Sequence, residues 1–149
     1  MAIVTFFGHK DTPNEIEPII KSTLIYLIEY ENADVFYVGN NGNFDNMVRR
    51  QLKSLSEIYP ISYDVVLAYL PRNKSENADI TDTIYPEGLE CIPPRFAISW
   101  RNKWMLEKAD YVITYVTHTV GGSAKFKEMA IKKNKRVIEI NGMKTDMRN

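Results

Sequence analysis

The chain has 149 residues, 44% hydrophobic and 26% charged, enough for one domain with a sizeable core and too few for a second. Its 19 Lys and Arg balance its 19 Asp and Glu, so no overall field draws in nucleic acid or an anionic membrane. The opening MAIVTFFGHK lacks a basic n-region and a signal-length apolar run, no apolar stretch approaches bilayer length, and one cysteine excludes an intrachain disulfide, all of which points to the cytoplasm. That cysteine, Cys91, lies between Glu90 and the Pro93-Pro94 pair with no histidine near it in sequence, and reads as a packing thiol rather than a nucleophile.

Residues 2–7 are a short β-rich run. Thr12-Pro13-Asn14-Glu15 then has the form of a capping box with proline at the first helical position, and Ile16, Ile19, Ile20, Leu24, Leu27 and Ile28 extend one apolar face to about residue 31. Residues 35–38 form a second strand, broken by Gly39-Asn40-Asn41-Gly42-Asn43, after which Phe44, Val48, Leu52 and Leu55 mark the buried side of a second helix. A third strand spans 63–70 and stops at Pro71. Residues 72–92 show no period and read as an unusually long loop. Pro93-Pro94 opens a third helix carrying Phe96, Trp100 and Trp104 at spacings of four; a strand over 111–116, a helix over 123–133 and a strand over 136–140 complete the chain.

Strands that alternate with helices and are mostly apolar imply a parallel sheet covered on both faces. The expected architecture is a single α/β domain over 1–149: a Rossmann-like doubly wound parallel sheet of about five strands, ordered 3-2-1-4-5, with helices on both faces. Ligands of such sheets bind beyond the carboxyl ends of the strands, where the order reverses, between the first and fourth strands. Four loops reach that place: Gly8-His9-Lys10, residues 39–45, residues 69–71 and residues 117–123.

Each loop has a functional reading and a plainer one. Gly8 either approaches a ligand or turns the chain, and His9 either meets a phosphate or is solvated. Gly39, Asn40, Gly42 and Asp45 offer close backbone, amide groups and a carboxylate to a sugar or phosphate; the plainer reading is helix capping, by Asn43 or Asp45 near a helix start. His118 sits in the loop that leads to Gly121, Gly122 and Ser123, where a strand passes into a helix whose first free N–H groups favour an anion. Arg101 shares a helical row with Ala97 and Met105, so its guanidinium lies in a partly apolar stripe and requires an anion as partner or an escape to solvent. Glu128 follows Gly122 by six positions, within reach of a sugar held over the glycines, or else is a surface residue among Lys125, Lys127, Lys132 and Lys133. No metal-ligand spacing is present.

Arg101, Met105, Ala109, Asp110, Gly121, Gly122 and Glu128 follow in order the pattern of the Lonely Guy phosphoribohydrolases, and the chain resembles them and the wider SLOG superfamily of Rossmann-like nucleotide-binding proteins. It departs from the pattern at Val120, Ala124, Lys125 and Asn102, where the family has proline, glycine, threonine and a second basic residue, and in the inserted Thr117, His118 and Thr119. The Gly8-His9 pair and the V-x-H-x-x-G-G-x-A-K turn resemble a bacterial and phage-associated branch. The resemblance implies a nucleoside 5′-monophosphate N-glycosidase without a cofactor, in which Glu128 stabilises the sugar cation, Arg101 binds substrate, Gly121, Gly122 and Ser123 hold the phosphate, and Tyr85 and Glu87 close over the base. It also implies a homodimer and a small nucleotide as partner. The alternative is a noncatalytic nucleotide sensor, favoured by Ala124 and Lys125. Single-stranded DNA binding, as in the DNA-processing protein A branch, ranks last because the net charge is zero.

Overall fold

The run AIVTFFG forms β1 (Ala2–Gly8) at the centre of a parallel sheet in the computed structural model, which describes residues 1–69, 83–117 and 121–140. On one side follow β2 (Ala33–Val38), β3 (Ser62–Val66) and β4 (Thr83–Ile84), and on the other β5 (Tyr111–Tyr115) and β6 (Arg136–Glu139). Every described pairing is parallel, in the order β4-β3-β2-β1-β5-β6. The five expected strands keep their order. The sixth, β4, adds an outer edge, and its two residues are too few to show any period in the sequence.

Alternation along β1 divides the core. Val4 and Phe6 pack with Phe36 and Ile113 under α1 (Glu17–Tyr30) and α2 (Gly42–Ser56), through Ile20, Leu24, Leu27, Phe44, Val48 and Leu52. Phe7 and Val112 pack on the opposite face under α3 (Ala97–Lys108) and α4 (Gly122–Lys132), through Met105, Leu106, Ala109, Phe126 and Ala130. Large side chains buried in this way contribute about 1.5–3 kcal/mol each. Among the described residues no helix is long and apolar enough to cross a membrane.

Several local expectations are corrected. The capping box at Thr12 does not form: the chain enters α1 through a 3₁₀ turn at Asn14–Ile16, and the Thr12 hydroxyl instead donates to the His9 carbonyl at 2.6 Å. β3 ends at Val66, although the Leu67 N–H still bonds the Ile84 carbonyl at 2.8 Å. Where it is described, the long loop is docked: Tyr85 packs against the core and Leu89 is buried, so Tyr85 is not a free lid. Cys91 ends a short 3₁₀ turn (Leu89–Cys91) and is exposed, so its thiol does not pack.

Candidate functional site

α3 and α4 each enter the fold with their N-termini beside the carboxyl ends of the strands. Between them and the loop after β1 lies a cleft of about 260 Å³. Phe6, Phe7, Gly8, His9 and Lys10 line it from β1 and its loop, Asn41 and Asp45 from the start of α2, Ile98, Arg101 and Asn102 from α3, and Gly122 and Ser123 from α4. Two larger clefts, of about 410 and 480 Å³, open at the opposite end of the sheet around Met1, Asn32 and Ala33 and around Asp110, Tyr111 and Arg136. Neither receives a helix N-terminus or a strand's carboxyl end. The smaller cleft therefore has the chemistry of a site.

Arg101 is the largest fully buried side chain, 1% exposed, in the row formed by Ala97 and Met105. Oxygen atoms close around its guanidinium. Nε donates to Asn102 Oδ1 at 2.8 Å, Nη1 to the Val66 carbonyl at 2.8 Å and to Asn40 Oδ1 at 3.2 Å, and Nη2 to Asn41 Oδ1 at 3.1 Å. Burial lowers its pKa, and the charges of Asp45 and Tyr69 oppose that fall. Arg101 thus ties α3 to the end of β3 and to the loop after β2.

Asp45 stands in the first turn of α2, 8% exposed, and its Oδ2 accepts the N–H of Asn41, the N-cap of that helix, at 3.0 Å. Burial pushes its carboxyl up to about 6, against the pull of that N–H and of Arg101. Gly39 makes room for the pair, because a Cβ there would lie 2.9 Å from both Arg101 Nη1 and Asp45 Oδ2. Asn43 is also engaged, donating through Nδ2 to the Thr12 carbonyl at 2.6 Å and to Asn14 Oδ1 at 2.8 Å. The amide-rich loop is therefore held by its own side chains.

His9 Nε2 accepts the Thr117 N–H at 2.8 Å, so that nitrogen is unprotonated and the loop after β1 is fastened to the loop after β5. Gly121 caps α4 with φ +107°, a backbone shape that side chains resist, and its carbonyl accepts the Lys125 N–H at 3.0 Å. The N–H groups of the first turn of α4 are left without helical acceptors.

The structure brings Gly8, His9, Asp45, Arg101, Gly122 and Ser123 to one cleft, with Gly39 and Asn40 directly behind it. Gly8 and Gly42 serve packing as well: a Cβ at Gly8 would strike the Phe44 ring, and one at Gly42 would meet Lys10 Cα at 2.6 Å. His118 lies outside the described residues. Glu128 is exposed on α4 and is not among the residues lining the cleft. Residues not singled out from the sequence also belong here. Lys10 follows His9 directly, Asn41 lies inside the amide run, and Asn102 follows Arg101. Outside the lining of the cleft, Tyr69 is 47% exposed and Phe96, at the N-cap of α3, 51% exposed; the Tyr69 hydroxyl donates to the Pro94 carbonyl at 2.8 Å, and the Arg95 guanidinium lies 4.8 Å over the Phe96 ring. Among the described residues no group of three His, Cys, Asp or Glu could hold a metal ion.

The fold is similar to the X-ray structure of DNA processing protein A from Streptococcus pneumoniae, with a TM-score of 0.70 and 17% identity over 93% of this chain and 50% of that one. It is also similar to DNA processing protein A from Helicobacter pylori, a structure described for its single-stranded DNA binding mode, with a TM-score of 0.67 and 13% identity over 93% of this chain and 64% of that one. The chain thus spans half of the first protein and under two thirds of the second. No family model and no curated protein matches it. At these identities the likeness is one of fold, a Rossmann-like parallel sheet with helices on both faces. The expectation of a nucleotide ligand and of N-glycosidase chemistry, with nucleic acid ranked last, is overturned: the similar folds belong to DNA processing proteins, and Glu128, on which hydrolysis rested, stands outside the cleft. Zero net charge was a poor guide, because a sum over the chain carries no information about where the charges lie.

Proposed function

We propose that this chain binds single-stranded DNA at the cleft beyond the carboxyl ends of β1, β2 and β5. The observation that carries this reading is the convergence there of an exposed lysine, Lys10, the first turn of α4 and the buried charge of Arg101. Single strands are held by cations that track phosphates and by aromatic faces that accept bases. The cleft supplies the first, and the exposed rings of Tyr69 and of Phe96, the N-cap of α3, supply the second. The binding mode described for the Helicobacter pylori protein supports the same ligand class.

In this reading the N–H groups of Gly122 and Ser123 hold one phosphate and Lys10 pairs with the next. Arg101 is a positioning residue: its hydrogen bonds go to Asn40, Asn41, Asn102 and Val66, and they fix the walls of the cleft. His9 fixes the approach to α4 through Thr117. The V-x-H-x-x-G-G-x-A-K turn supports a place in the bacterial and phage-associated branch, and the lone cysteine supports a cytoplasmic setting.

The test is fluorescence anisotropy of a labelled oligothymidylate at low and moderate salt, with unlabelled single strand or blunt duplex as competitor. Saturable binding that falls steeply with salt, resists duplex competition and weakens about tenfold in Lys10→Glu is expected. Absence of saturable binding at low salt, or equal competition by duplex, rejects the reading.

A further inference from the structure

We infer that the outer row of α3, formed by Phe96, Trp100 and Trp104 and flanked by Arg95, Lys103 and Lys108, is a stacking track that carries a bound single strand out of the cleft. This rests on the proposed DNA binding and extends it to a surface the cleft does not include.

Residues four apart lie one above another on a helix, about 6 Å apart along its axis. The three rings therefore make a ladder of about 12 Å that begins at the N-cap of α3, the helix whose Ile98, Arg101 and Asn102 line the cleft. They are not the buried side of α3, which is formed by Ala97, Arg101, Met105 and Leu106. Phe96 is half exposed, and Trp100 and Trp104 are each partly exposed. The tryptophans are also braced from beneath. Trp100 packs on the cluster of Ala68, Leu89 and Ala97, and Trp104 meets the Tyr37 ring edge-on at 5.3 Å. Rings held in this way lose little freedom when a base stacks on them.

The charges beside the ladder point to the occupant. Arg95 Cζ lies 4.8 Å from the Phe96 ring centre and Lys108 Nζ 4.7 Å from that of Trp104, while Lys103 is exposed between them. None of these three cations forms an ion pair among the described residues, whereas Arg50, Lys127 and Arg136 pair with Glu17, Glu139 and Glu31. Only Glu107 opposes them on the helix itself. Arg95 and Lys108, lying over ring faces with no carboxylate to hold them among the described residues, suit a partner bringing both flat aromatic groups and negative charge. A base takes the ring face, and the displaced guanidinium or ammonium moves to the adjoining phosphate.

The chain has two tryptophans, both in this row, so its intrinsic tryptophan emission reports stacking on the ladder directly. Oligothymidylates of about four and about twenty nucleotides, the first matched to the cleft and the second long enough for the track, are titrated into wild type, Lys10→Glu, Phe96→Ala and the double variant Lys103→Glu/Lys108→Glu. Anisotropy and tryptophan emission are read together. The altered side chains are exposed, so the fold is retained. The longer strand is expected to quench the emission. Its affinity falls about tenfold in Phe96→Ala and at least as far in the double variant, whose salt slope also drops by about 1.4 for two lost phosphate contacts, while the short strand is unaffected by the double variant. Binding of the long strand that is lost in Lys10→Glu, yet leaves emission unchanged and is as tight in the double variant, overturns the track and leaves the cleft reading standing. Failure of both strands to bind wild type overturns both.

Discussion

Asp45 is a carboxylate placed where burial penalises its charge. Its pKa in the fold, about 6, lies above the ordinary 3.8, so between about pH 4 and pH 6 the native state keeps a proton that the unfolded chain has released. Stability from this group is full below pH 4 and is lost as pH rises through 6, by at most about 3 kcal/mol for a shift of roughly two units. Asp45→Asn keeps an oxygen for the Asn41 N–H and removes the charge. Urea unfolding at pH 8 should therefore show the variant more stable than wild type by about 1–3 kcal/mol, with the gap closing towards pH 4.5; a variant less stable at pH 8 would mean that ionised Asp45 is needed as the counter-charge of Arg101. Thr114 allows a second test without charge. It is fully buried on β5 and its hydroxyl has no hydrogen-bond partner among the described residues. Thr114→Val exchanges that hydroxyl for a methyl of similar shape and should stabilise by about 1 kcal/mol, visible as a raised denaturation midpoint.

At the scale of elements, α3 is held to the sheet by one polar side chain set in an apolar row. Arg101→Lys keeps a positive charge but loses the planar fork that reaches Asn40, Asn41, Asn102 and Val66 at once. It should cost about 2–4 kcal/mol in chemical denaturation and weaken oligonucleotide binding, although the side chain itself need not touch the strand. An effect on binding with unchanged stability would make Arg101 a direct ligand. The same helix shows what could be read beforehand. Ala97, Arg101 and Met105 recur at four, so the buried guanidinium was visible as spacing. Its partners were not, because Asn40 and Val66 lie 61 and 35 positions away and meet it only once β2 and β3 pair. The aromatic row of α3 carried more apolar bulk than the buried row, and composition alone cannot decide which of two adjacent rows faces the sheet. The order of the five main strands followed from alternation and crossover handedness, whereas β4, with two residues, had no period to detect. Glu128 was placed by its distance from Gly122 along the chain, and a helical spacing fixes the side of α4 only when its axis is known.

Across the whole molecule, a net charge of zero conceals an uneven distribution. α3 carries Arg101, Lys103 and Lys108 against Glu107, and α4 carries Lys125, Lys127 and Lys132 against Glu128, while in the opposite layer α1 carries Lys21 against Glu17 and Glu29 and α2 carries Arg49, Arg50 and Lys53 against Asp45. The sheet thus separates a basic layer, next to the cleft, from a layer of lower charge. On the proposed single-strand binding, two influences make the affinity depend on pH. Below the pI of about 6.7 the molecule as a whole turns positive, and near pH 6 Asp45 takes up a proton and ceases to repel phosphate in the cleft. Affinity for a single strand should therefore rise by about tenfold as pH falls from 7.5 to 5.5 at constant salt. Asp45→Asn separates the two causes. It should bind more tightly than wild type at pH 7.5 and show a shallower pH dependence, the remaining slope belonging to the overall charge. Equal slopes in wild type and variant would mean that the strand's phosphates stay clear of Asp45, and would move the binding path from the floor of the cleft to its α4 wall.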